Sequence, residues 1–358
     1  MVCSGDFQVK EKESSTDWSP KNVKDLTYVF STLTEYFNDK EVDKLTREDF
    51  VDFRENVLKK LPRHRQSNLL KNKNLKDILK ITKEQKFKTI GITTINKHLR
   101  RIHQVFAWAD SVDLVKKNLT KNLEIKMRKE KVANKDKRDF FTEEELNVLF
   151  NSKLFTEDIE KILLKRLERI LIPLIMLYTG AKPAELGLLE IRDIIEKEGV
   201  LCFDFNNFVK TNSNKRTIPI PENLLKLGFL NYYEKRKKEA KKSDRLFDKL
   251  LIYESGSSVI NEFNTYFREL KKKEKVFGEK LSLYSFRHTV IQKLKEQKTP
   301  TYLINAYAGH SLDYSNKSVT DYGNNTEISI SVLKEVADKI QYEVDLSHIR
   351  EAIAKVFG

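Results

Sequence analysis

The chain has 358 residues, 39% hydrophobic and 34% charged, which is enough for two globular domains with heavily charged surfaces. Its formal net charge of +14 points to a polyanionic partner, while the lack of a long apolar run or an N-terminal apolar stretch excludes a membrane span and a signal peptide. Its two cysteines, Cys3 and Cys202, lie far apart, which excludes a disulfide framework and a Cys-rich zinc site and suits a reducing cytoplasm.

With only 11 Gly and 7 Pro, the chain is expected to be mainly α. Residues 1–17 are polar and without periodicity and read as a tail. Ser19 and Pro20 form an N-cap and first helical position, followed by Val23, Leu26, Phe30, Leu33 and Phe37 at helical spacing. A second helix starts at Thr46, with Glu48 and Asp49 in its first turn and Phe50, Phe53, Val57 and Leu58 on its apolar face. Residues 62–88 read as irregular and basic. Thr93 or Thr94 then caps a helix with an apolar stripe of Ile95, Leu99, Ile102, Val105, Phe106 and Trp108.

Between 116 and 138, lysines and arginines crowd a stretch with little hydrophobic pattern, which reads as a basic interdomain linker. Thr142 followed by Glu143, Glu144 and Glu145 is a capping-box start. Helices are expected from Thr142 to Asn151 and from Glu157 to Tyr178. Ile194–Phe205 and Arg216–Ile220 are the strand candidates; they flank a polar turn, Thr211–Asn214, as in a β-hairpin. Helices follow over Leu224–Lys242, Val259–Lys273, Tyr284–Glu296 and Pro300–Ala308, and an amphipathic stretch closes the chain from Ile328 to Val356.

Four groups of residues carry chemistry. In Thr179-Gly180-Ala181-Lys182-Pro183-Ala184-Glu185, Gly180 ends one helix and Pro183 begins another, so Lys182 stands at a helix N-terminus with Glu185 on the same face. Lys210, with Lys215 and Arg216 beyond the turn, can reach from the hairpin to donate a proton or bind phosphate. Arg287 offers a planar five-donor fork for an anion, and His288 and His310 can donate hydrogen bonds or move protons near neutral pH. Tyr322 is the candidate nucleophile; its phenol, with a pKa of about 10, needs cationic neighbours to lose its proton. Tyr302, Tyr307 and Tyr314 compete with it, and among 13 tyrosines any single one is by default a packing residue. No His/Cys cluster or paired acidic motif suggests a metal, and no phosphate-cradling Gly-rich loop suggests a nucleotide cofactor.

In this order the motifs resemble the tyrosine recombinases, or phage integrases, and in particular the Xer-like integrases of bacterial mobile elements. TGAKPAEL is similar to that family's first arginine box, FVKTNSNKRTIPIP to its hairpin with the catalytic lysine at Lys210, YSFRHT to its second arginine box, AGH to the box ending in His310, and VTDYG to the nucleophile box at Tyr322. The resemblance implies a helical core-binding domain over 18–115, the basic linker over 116–138, and over 139–358 an α+β catalytic domain with a small antiparallel β-hairpin or sheet and a C-terminal helical tail. It implies catalytic roles for Tyr322, Arg287, Lys210, His310, Lys182, His288, Tyr284 and Glu185, without cofactor or metal. Double-stranded DNA with an inverted-repeat site, a homo-tetramer, and an accessory DNA-bending or directionality factor are the implied partners, in a cytoplasmic, nucleoid-associated setting with no membrane. The tail is expected to dock on a neighbouring subunit.

Two positions depart from the pattern. Lys182, natural or engineered, stands where the family has its first arginine; it keeps the charge but cannot fork two oxygens, and losing one preorganised donor costs about 10²–10³ in rate. Tyr284 stands where the second box usually has histidine. A slowed recombinase is therefore expected. A DNA-binding protein with a decayed site, a type IB topoisomerase-like relaxer and a helix-turn-helix repressor are the alternatives.

Overall fold

The computed structural model describes residues 20–38, 40–63, 68–126, 139–207, 215–241, 244–250, 252–253, 256–309 and 328–358. The chain divides into two compact units, Met1–Lys131 and Val132–Gly358.

The first unit is helical. Pro20–Phe37 is its first helix, and Pro20 occupies the first position. At Thr46 the side chain accepts from the Asp49 N–H while the Asp49 carboxylate accepts from the Thr46 N–H, and this capping box starts the helix Arg47–Asp52. The chain continues through a π turn, Phe53–Val57, and a 3-10 turn, Leu58–Lys60, which keep Phe53, Val57 and Leu58 buried. The stretch expected to be irregular contains a helix, Leu75–Glu84, with Asn74 as its N-cap. Leu75, Ile78 and Thr82 form its buried stripe, and the interspersed lysines on the solvent side hide that period in the sequence. The helix Ile92–Ser111 starts one residue after Gly91, so Thr93 and Thr94 lie inside its first turn and neither caps it. Ile95, Leu99, Ile102 and Phe106 are buried as expected.

The beginning of the basic stretch is anchored to this unit. Leu123 is buried with the helical core. Arg47 donates to the Lys121 carbonyl (2.7 Å), Arg54 to the Leu123 carbonyl (2.8 Å), and the Asn96 amide both donates to and accepts from the backbone of Ile125 (2.9 and 2.8 Å). Hydrogen-bonded backbone up to residue 125 therefore belongs to the helical unit. The later part of the expected linker lies outside the described residues.

The second unit is built around the helix Glu168–Thr179, buried from Ile170 to Thr179. The expected helix over 157–178 is two helices, Ile159–Arg166 and Glu168–Thr179; Leu167 between them keeps right-handed helical angles, and its carbonyl accepts from the Leu171 N–H (2.9 Å). Before them come Glu143–Phe150, started by the Thr142–Glu145 capping box, and the short helix Lys153–Thr156. A three-stranded antiparallel sheet follows: β1 Ile194–Lys197, β2 Val200–Asp204 and β3 Thr217–Pro219 in the order β1-β2-β3. The segment expected as one strand is thus a hairpin, reversed at Glu198 and Gly199, both with positive φ (55° and 71°), as a two-residue hairpin turn requires. β2 pairs with β3, Phe203 opposite Ile218, while the expected polar turn between them lies outside the described residues. A second, two-stranded pair, Ile252–Tyr253 with Gly256–Ser257, was not anticipated.

Glu222–Lys226 and Phe229–Glu239 replace one expected helix; Gly228, at φ 92°, separates them. Ser258–Lys273, Ser285–Glu296 and Thr301–Ala308 follow the expected order. The final amphipathic stretch is two helices, Ile330–Asp338 and Ser347–Phe357. Ile330, Leu333, Val336, Ile349 and Ile353 join the core of their own unit, and the Glu198 carboxylate caps the first helix at the Ile330 N–H (3.0 Å). The apolar face expected to dock on a neighbouring subunit is therefore spent within the same chain. Among the described residues no helix is long and apolar enough to cross a membrane.

Candidate active site

The buried helix Glu168–Thr179 ends where Gly180 takes a left-handed conformation (φ 63°), which a residue with a side chain rarely adopts. The chain reverses through Ala181, and Pro183 starts the helix Pro183–Leu188 with Lys182 at the cap position. The Lys182 N–H donates to the Glu185 carboxylate (2.9 Å), and its ammonium lies 3.4 Å from the other carboxylate oxygen. The sequence placed both residues on one face, and the structure shows them paired.

The helix Ser285–Glu296 packs against Glu168–Thr179 and carries the second group. Arg287 is 0% exposed, although it is an arginine. Its Nη1–H donates to the Gly180 carbonyl (2.7 Å), which holds it against the end of the buried helix. Its Nε and Nη2 have no hydrogen-bond partner among the described residues. Buried donors without acceptors are costly, and an anion here would satisfy both. Burial lowers the Arg287 pKa from its ordinary value. Burial also lowers that of Lys182; Glu185 opposes the shift, and the charges of Arg287 and Arg216 reinforce it. Lys182 and Arg287 are therefore close enough to repel, and an anion between them would relieve both.

Glu185 is 5% exposed. Burial pushes its carboxyl up, but the Arg216 guanidinium overcomes that and holds it below the ordinary value. Arg216 donates Nη2–H and Nη1–H to the two oxygens (2.8 and 3.3 Å) and Nε–H to the Tyr307 carbonyl (3.0 Å), and stacks over the Phe205 ring. Sequence reasoning treated Arg216 only as a basic residue beyond the turn. The signal it missed is position: an arginine directly before the apolar strand β3 must enter the core and needs an acid there.

His288 lies on the exposed side, with Nε2 3.5 Å from the Asp139 carboxylate and its ring edge-on to Tyr284, centroids 5.3 Å apart. Asp139 was not singled out from the sequence. Tyr284, 41% exposed, sits at the N-terminus of the Arg287 helix, where its ring can meet a ligand. The structure thus brings together Lys182, Glu185 and Arg287, with Tyr284 and His288 on the first turn of the Arg287 helix. Tyr307 is removed as a rival nucleophile: it is 0% exposed and its hydroxyl donates to the Tyr178 carbonyl (3.0 Å). Lys210, His310, Tyr314 and Tyr322 lie outside the described residues. Gly309, which precedes His310, closes the helix Thr301–Ala308 in a left-handed conformation (φ 70°). Among the described residues no group of His, Cys, Asp and Glu is disposed to hold a metal.

This combination of a buried arginine, a helix-capping lysine and a small antiparallel sheet matches a known class. The phage integrase family matches residues 139–326, more than half of the chain, and the chain belongs to that family, the tyrosine recombinases. No curated protein matches it. Two solved structures of the Tn1549 transposon integrase in complex with circular intermediate DNA, one an arginine-to-lysine variant, are each 16% identical, with TM-scores of 0.52 and 0.53; 92% of this chain aligns with 96% of each. A lambda integrase dimer bound to a COC′ core site is 12% identical with a TM-score of 0.50, aligning 88% of this chain with 75% of that one. At these identities the likeness is one of fold.

Proposed function

We propose that this tyrosine recombinase cuts and rejoins duplex DNA at a specific inverted-repeat site, to integrate or excise a mobile element. The observation that carries the reading is Arg287, wholly buried, anchored by one nitrogen and left with two donors unpartnered among the described residues, with the Lys182 ammonium in electrostatic reach. Such preorganised donors stabilise charge that develops on a phosphate in the transition state. The +14 net charge supports a polyanionic substrate, and binding should weaken steeply with salt as counterions return to the phosphates.

In this reading the Tyr322 hydroxyl attacks the scissile phosphorus. The P–O bond to the 5′-oxygen breaks, a 3′-phosphotyrosyl bond forms, and the phenolic proton is released. Lys210 gives a proton to the leaving 5′-oxygen. Arg287 and Lys182 hold the non-bridging oxygens. His288, backed by Asp139, and His310 assist proton transfer and phosphate binding, Tyr284 donates from the helix start, and Glu185 accepts from the Lys182 backbone N–H and so fixes the turn that carries it. Attack by a 5′-hydroxyl on the phosphotyrosine reverses the step, so rejoining needs no ATP. Strand exchange would run through a Holliday junction in a homo-tetramer on nucleoid DNA, with an accessory DNA-bending or directionality factor.

A nicked suicide duplex carrying the element ends, located first by footprinting, tests the reading: a covalent protein–DNA adduct that is lost in Tyr322→Phe supports it. The pairing of Lys182 with Glu185 favours a second reading, a DNA-binding protein with a decayed site. That reading expects footprints but no adduct, even from Lys182→Arg.

A further inference from the structure

Arg216 is a buried, heavily engaged charged side chain in the second unit that the reaction scheme does not use. It is 8% exposed, and its guanidinium meets three separate elements at once. Glu185, on the helix Pro183–Leu188, takes two of its donors. The Tyr307 carbonyl, in the last turn of Thr301–Ala308, takes the third, and Phe205, just after β2, lies under its plane with the centroid 4.5 Å away. The contact with the helix Thr301–Ala308 extends to Gly309: a Cβ there would lie 2.6 Å from Arg216 Nη1. Because Glu185 and Tyr307 both fix the guanidinium, it cannot move aside as a surface arginine would.

Two cations stand beside one buried carboxylate. Arg216 spans both oxygens, in the bidentate geometry that a guanidinium favours. The Lys182 ammonium lies 3.4 Å from one of them, a longer contact than the 2.8 Å that Arg216 makes. If Arg216 were absent, the buried Glu185 charge would have only Lys182 to neutralise it, and the desolvated pair would close. An ammonium held in that way cannot pass to an incoming phosphate. The geometry points to Arg216 as a positioning residue: it satisfies Glu185 so that Lys182 can turn to the anion that Arg287 meets, and it holds the backbone at Tyr307, in the last turn of the helix that Gly309 closes. The inference rests on the recombinase reading for what the anion is, but the competition for Glu185 exists in the unliganded protein.

Two measurements on the full chain test it. The first is the rate of covalent complex formation on the suicide duplex. Arg216→Gln should slow it by about 10²-fold, and the double variant Glu185→Gln/Arg216→Gln, in which Lys182 has no carboxylate to close on, should regain at least about tenfold of that loss. The second is the titration of Lys182 followed by NMR of 13C-labelled lysine, its resonance assigned by its loss in Lys182→Arg. Lys182 should titrate higher in Arg216→Gln than in the parent chain and fall back in the double variant. Arg216→Lys keeps the charge without the fork and leaves one Glu185 oxygen to Lys182, so Lys182 should titrate between its parent and Arg216→Gln values; if Arg216→Gln does not fold, an Arg216→Lys chain whose Lys182 titrates as the parent's overturns the proposal. A purely structural arginine would give a double variant as slow as the single one, or a Lys182 titration that none of the changes moves, and either result overturns the proposal. If the parent chain forms no adduct, the recombinase reading falls, while the Lys182 titration still decides the role of Arg216.

Discussion

Arg287 donates to the carbonyl of Gly180 at 2.7 Å, joining two motifs 107 residues apart in the chain. That bond ties the second arginine box to the start of the first, and it uses only one of three nitrogens. A charge held this way, 0% exposed, opposes folding, because burial favours its neutral form. Arg287→Met, of similar volume and neutral, should therefore raise thermal stability by about 1–2 kcal/mol, even after losing the Gly180 bond, and abolish adduct formation. Calorimetry beside the suicide-substrate assay checks both; a lower melting temperature would show that the guanidinium stabilises the unliganded fold.

Lys182→Arg should speed covalent adduct formation by about 10²-fold. The position caps the helix Pro183–Leu188 in electrostatic contact with Arg287, so a forked cation there would add a second donor to the same phosphate. Initial rates at saturating DNA measure it, and equal rates would mean that one ammonium already does all the site requires.

Glu185→Gln should destabilise the chain at neutral pH by about 3–5 kcal/mol, since it strips the buried Arg216 of its charged partner. The folded carboxyl has a pKa lowered from 4.5, so its stabilising contribution is complete above 4.5 and is lost as pH falls through the lower folded value. The stability gap between parent and variant should thus be constant from pH 7 to about 5 and shrink in more acid solution. Urea titrations across that range read the gap; one that widens on acidification would contradict the assignment.

Gly309→Ala should cost about 1–2 kcal/mol for the left-handed backbone alone. The new methyl would also press on the fixed Arg216 guanidinium, so cleavage should slow by more than the stability loss explains. Rates taken well below the melting temperature separate the two effects.

Ile353→Ala should lower stability by about 2–5 kcal/mol, independently of protein concentration. Ile353 is 0% exposed within its own unit, so its burial does not wait for a second copy. A loss that appeared only at high concentration would restore the expectation that the C-terminal helix docks on a neighbour.

Where local chemistry sets local structure, the sequence was legible. The Thr142 capping box, the unbroken apolar run ending at Gly180, and Pro183 one residue past Lys182 each act within a few residues, and each was read correctly. The helix Leu75–Glu84 was missed because lysines on its solvent face dilute a short apolar stripe. β1 and β2 were fused because Glu198-Gly199 is a less obvious reversal than Asn-Gly. Of the site, the pairing of Lys182 with Glu185 is sequence-local and was visible as a spacing. The Arg216–Glu185 pair spans 31 residues and exists only once the sheet packs on the helix Pro183–Leu188, so no local pattern announces it.

The central claim is that Tyr322 carries the DNA strand between cleavage and rejoining. Trapping the Lys182→Arg chain on a nicked suicide duplex, digesting the adduct and sequencing the DNA-linked peptide by mass spectrometry tests it directly. The expected product is a 3′-phosphotyrosyl bond at Tyr322, with no adduct from Tyr322→Phe. Attachment at Tyr314, or no attachment at all from a chain that footprints the same DNA, would contradict it.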